Sequence, residues 1–140
     1  MGSCYNKVEI AAPLQLVWKV LEDFHNMSWA PNVVTSVDKV GTIEGTKVGA
    51  KRILNDAFHE TLIKHDPDNF CFAYSIDDGP GPVAKEAVNN YIGEVKLSHP
   101  DRATIIEWRS TFESENPNEV TEFCDPIYQA LLADLKDTLS

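Results

Sequence analysis

Residues 49–66 read GAKRILNDAFHETLIKHD. The run divides into two short strands around a tight turn. With Asp56 at the centre, Leu54 pairs with Phe58, Arg52 with Glu60, Ala50 with Leu62 and Val48 with Lys64. Side chains alternate across a strand, so Arg52 and Glu60 share a face with Leu54, Phe58 and Leu62. Lys51, Ile53, His59, Thr61 and Ile63 take the opposite face. A charged pair on the apolar side of a hairpin calls for a reason.

Further strand-like runs surround this hairpin. TSVDKVGTI (35–43) precedes it, and NFCFAYSID (69–77), NNYIGEVKLSH (89–99) and RATIIEWRSTFE (102–113) follow, the last two joined by Pro100-Asp101. Their spacing fits hairpins in a meander, with no helix available for parallel crossovers. DDGPGPVAKEA (77–87) is expected to be the longest and most mobile loop. Upstream, CYNKVEI (4–10) predicts a first strand. APLQLVWKVLEDF predicts a helix, with Leu14, Val17, Trp18, Leu21 and Phe24 at helical spacing. HNMSWAPN ends it, with space for one short helical turn before Pro31. From Asn118 the period lengthens: Val120, Phe123, Ile127, Leu131, Leu132, Leu135 and Leu139 mark a long amphipathic helix. Pro126 inside it predicts either a kink or a true start near Asp125.

This order gives an α+β fold within one domain, 1–140. A curved antiparallel sheet of about seven strands wraps a long C-terminal helix, with one or two short helices after the first strand. A curved sheet gripping one helix does not close tightly on it, so a cavity is expected between the two.

The 140 residues carry a net charge of −10, which disfavours nucleic-acid phosphates and anionic lipid surfaces and leaves uncharged or cationic ligands open. Cys4, Cys71 and Cys124 are an odd number without metal spacing, as expected of reduced thiols in a cytoplasmic protein. His25, His59, His65 and His99 form no cluster, and no metal or cofactor is expected. Neither a phosphate loop nor a nucleophile elbow is present. No apolar run approaches a membrane span of roughly 18 residues. MGSCYN falls short of a myristoylation signal because Asn6 stands where Ser or Thr is wanted. Monomer and homodimer both stay open.

VEIAAPLQLVWKVLEDFHNMSWAPNV, GTKVGAKR, HETLIKHDPDNFCFAYSI, IIEWRSTF and the terminal helix, taken in this order, resemble the helix-grip superfamily. That superfamily holds START lipid-transfer domains, the birch-pollen allergen and polyketide cyclase/dehydrase-like proteins. The chain is most similar to the small polyketide cyclase and lipid-transport branch. The resemblance implies a hydrophobic ligand, and enzymatic activity only in some members. An Arg followed by a Glu on adjacent strands recurs in this branch, which favours an inward-facing pair.

Alternation assigns the lining of the hollow. The set is Trp29, Ala50, Arg52, Leu54, Phe58, Glu60, Leu62, Phe72, Tyr74, Asn89, Tyr91, Trp108 and Ser110, with Phe123, Ile127 and Leu131 from the helix. Apolar walls with sparse polar anchors suit a small molecule. Arg52 and Glu60 are either a structural pair at the sheet's rim or the anchors of the site. As anchors, Arg52 would hold a carbonyl, carboxylate or enolate oxygen, and Glu60 would orient it or act as a base. Three functions follow. The first is binding or transport of a hydrophobic or aromatic molecule. The second is a cyclase- or dehydratase-like enzyme using Arg52 and Glu60. The third is a protein-interaction module, since some relatives partner chaperones.

Overall fold

A computed structural model describes residues 1–99 and 102–139. The expected 100–101 turn lies outside them. The elements are β1 (Gly2–Ile10), α1 (Leu14–Leu21), β2 (Val37–Val40), β3 (Lys51–Leu54), β4 (Phe58–Asp66), β5 (Cys71–Asp78), β6 (Asn89–Ser98), β7 (Thr104–Glu113) and α2 (Pro117–Leu139). The seven strands form one antiparallel sheet in the order β1-β7-β6-β5-β4-β3-β2. A single helix follows β1. The expected α+β helix-grip architecture is what the chain forms.

The β3–β4 register is the one read from the sequence: Leu54 opposes Phe58 and Arg52 opposes Glu60. Asn55 and Asp56 turn the chain with φ of 54° each, a left-handed conformation that short Asx side chains tolerate. Pairing continues past the strand through Leu62 N–H to Ala50 O at 2.8 Å. It does not reach Val48 and Lys64. Against β5, β4 shifts register between Leu62 and Lys64, and both Val48 and Lys64 face solvent.

Helix α2 runs unbroken through Pro126, with Pro117 in its first turn, so the expected start near Asp125 is not the one adopted. Pro126 is on the exposed side, where a carbonyl left without its helical donor can be hydrated. The helix lies close along β1, clasped by Asn6 Nδ2 to Asp125 Oδ1 (3.0 Å) and Thr121 Oγ1 to Ser3 O (3.1 Å). It makes no comparable approach to β3 or β4. That asymmetry leaves a wedge under one half of the sheet. The connection 22–36 crosses the wedge and is longer than the 79–88 loop, which is shortened by a 3-10 turn at Gly81–Val83.

Candidate functional site

The wedge is filled except for a cavity of about 50 Å³. Its inner wall is Arg52, Glu60, Tyr74, Trp108, Cys124 and Tyr128. Its outer wall includes Val33, Val34, Phe58, Ile76 and Ile127, all half-buried, and the exposed Asn55. The mouth therefore opens between the β3–β4 turn and α2.

Arg52 and Glu60 are 4% and 6% exposed. Arg52 Nε donates to Glu60 Oε1 at 2.8 Å, and Nη2 approaches the same oxygen at 2.7 Å. Nη1 donates to Phe24 O at 2.7 Å and meets Met27 Sδ at 3.3 Å. The guanidinium also lies 3.7 Å over the Phe24 ring. All three nitrogens thus have protein partners, Nη2 through one of its two hydrogens. Glu60 is different. Both contacts fall on Oε1, and Oε2 has no bonding partner among the described residues. Burial pushes the Glu60 carboxyl up, and the Arg52 charge opposes that push.

Beside this pair stands a cluster of hydroxyls. Trp108 Nε1 donates to Tyr74 Oη at 2.9 Å, Tyr74 Oη lies 3.3 Å from Tyr128 Oη, and Tyr128 Oη contacts Tyr91 Oη. Burial raises all three phenols above their usual range. It raises the Cys124 thiol to about 11. Gly93 makes room for the cluster, since a Cβ there would run into the Tyr74 ring.

The structure gathers half of the sequence-derived lining at this cavity: Arg52, Leu54, Phe58, Glu60, Tyr74, Trp108, Ile127 and Leu131. Trp29 and Phe72 border a separate void of about 10 Å³, room for one water at most. The Trp29 indole donates to Asn26 O at 3.0 Å. Ala50, Leu62, Tyr91 and Ser110 are buried away from both spaces, and Ser110 Oγ has no partner among the described residues. Phe123 stacks on Phe58, ring centroids 6.4 Å apart. Asn89 is exposed and lies outside the cavity: Asn90 at φ 54° bulges the strand, and pairing jumps from Asn89 to Ile92. Ile76, in phase with Phe72 and Tyr74, also lines the cavity, while alternation missed Met27, Val33, Val34, Asn55, Cys124 and Tyr128. Cys124 and Tyr128 could have been found from their spacing of four with Val120.

The polyketide cyclase / dehydrase and lipid transport family matches residues 1–140. The chain belongs to that family. A solved protein from Nitrosospira multiformis is 37% identical, covering 99% of this chain and 96% of its own, with a TM-score of 0.95. XoxI from Bacillus cereus is 22% identical over 99% of this chain and 96% of its own (TM-score 0.80). Ara h 8.0201 is 16% identical over 98% of this chain and 96% of its own (TM-score 0.77). These two share the fold alone. No curated protein matches this family member. No helix among its described residues is long and apolar enough to cross a membrane.

Proposed function

We propose that this chain binds a compact hydrophobic small molecule between its sheet and α2. The observation that carries this reading is a buried ion pair set in the wall of a largely apolar cavity. Opposed charges on a sheet contribute only about 0.2–1 kcal/mol. An apolar pair of similar volume would serve stability as well or better. A polar anchor for a ligand explains the charges where packing does not.

The present 50 Å³ is far below the roughly 300–1,000 Å³ of a drug-sized site. A ligand larger than a few atoms must move the outer wall. The part positioned to yield is the strap 32–36. Asn55 holds it through Nδ2 to Val33 O (2.9 Å) and Oδ1 from Thr35 N (2.7 Å). Asp134 holds its start through Asn32 N (2.8 Å) and Asn32 Nδ2 (2.9 Å). A second reading, a cyclase- or dehydratase-like enzyme, draws on the same oxygen. A carboxylate whose pKa is raised by burial and whose Oε2 is unbonded suits a general base.

Native mass spectrometry of freshly purified protein tests the binding reading. A co-purified small molecule, lost on Phe58→Trp filling of the cavity, is the expected result. An empty protein that also ignores panels of small aromatic and aliphatic compounds would overturn it.

A further inference from the structure

We infer that the ligand is neutral and enters with a hydrogen-bond donor, an alcohol, phenol or N–H, directed at Glu60 Oε2. This rests on the binding reading above and specifies its chemistry. The inference comes from counting unspent valences on the inner wall. Arg52 Nε, Nη1 and Nη2 are committed to Glu60, Phe24 and Met27. Trp108 Nε1 is committed to Tyr74, and the Tyr74 and Tyr128 hydroxyls are engaged within their own cluster. Asn55, on the outer wall, gives one amide hydrogen to Val33 O and its carbonyl to Thr35 and Ser36.

What remains among the described residues as an open charged acceptor is Glu60 Oε2. Glu60 is a cavity wall, 6% exposed, with both arginine contacts on Oε1. Oε2 is not among the sealed, partnerless atoms, and Glu60 borders the cavity. A carboxylate oxygen paired through its twin to an arginine accepts hydrogen bonds and donates none. A ligand carboxylate would meet like charge in an apolar enclosure, and a bare carbonyl would leave Oε2 without a partner. A hydroxyl or N–H supplies the missing partner, and hydrogen bonds to charged groups are the stronger kind.

The test is a matched ligand set on one carbon frame: p-cresol, p-xylene, p-tolualdehyde and p-toluate, titrated calorimetrically into the full chain. Wild type should bind p-cresol about ten- to a hundredfold more tightly than p-xylene, with p-toluate weakest. The double variant Arg52→Met/Glu60→Leu replaces the pair by apolar groups of similar size and should still fold. It should bind p-xylene at least as well as wild type and lose the preference for p-cresol. Tighter binding of p-toluate or p-tolualdehyde by wild type, or a p-cresol preference that survives in the double variant, overturns the inference while the binding reading stands. Failure of all four to bind folded wild type brings down the binding reading, and this inference with it.

Discussion

Two polar clusters lie side by side in this interior, and they use their hydrogen bonds differently. In Trp108, Tyr74, Tyr128 and Tyr91, each group turns to a neighbour. In Arg52 and Glu60, every nitrogen of the cation has a partner and the anion is half engaged. Buried polar groups are costly when unpartnered, so the closed cluster reads as architecture and the open one as a place for something absent. Burial alone does not separate the two, since all six residues are buried. The distinction lies in which atoms have partners.

The contrast breaks most sharply at Arg52. Arg52→Ala strands a buried carboxylate and should cost roughly 3–5 kcal/mol in urea unfolding, whereas the Arg52→Met/Glu60→Leu pair should cost little or stabilise. Equal losses in both would make the pair a plain structural element. Tyr128→Phe removes the middle of the closed cluster and should cost about 1–3 kcal/mol while leaving ligand selectivity unchanged. A shift in selectivity would merge the two clusters into one site. Asn55→Gly keeps the left-handed turn and deletes the strap's clasp. It should cost about 0.5–1.5 kcal/mol and speed ligand exchange in stopped-flow measurements.

The smallest expected effect is one of pH. Burial raises the folded Glu60 pKa above its ordinary 4.5. The folded state then holds that proton more tightly than the unfolded state. Its contribution to stability is complete below 4.5 and declines as pH rises through the raised value. The urea midpoint of wild type relative to Glu60→Gln should fall across that window. A relative midpoint that climbs instead would mean that Arg52 outweighs burial.

The hairpin was legible because its register rests on local chemistry: a three-residue turn centred on Asp56 and strict alternation place Arg52 opposite Glu60. The helix reading was right at Ile127 and Leu131 and incomplete beside them. Apolarity favours Phe123, but the interior takes its neighbour Cys124 and also Tyr128, whose shared hydroxyl network offsets the cost of burying a phenol. Asn89 was misplaced by a bulge at Asn90 that alternation does not anticipate. Met27, Val33 and Val34 were invisible because the 22–36 connection has no period; its position is set by clasps to residues distant in sequence, Asn55 and Asp134.

Strands β1 and β2 are neighbours along the chain yet occupy opposite edges of the sheet. The partners of β1 are β7, with Gly2 opposite Phe112, and the still later α2. During synthesis at about 5–20 residues per second, β1 leaves the ribosome several seconds before anything it pairs with exists. The hairpins from β3 to β7 can zip locally as they emerge, whereas β1 must wait and then close a very long loop. Until then its edge is unguarded, and the nascent chain has most need of a chaperone in that interval.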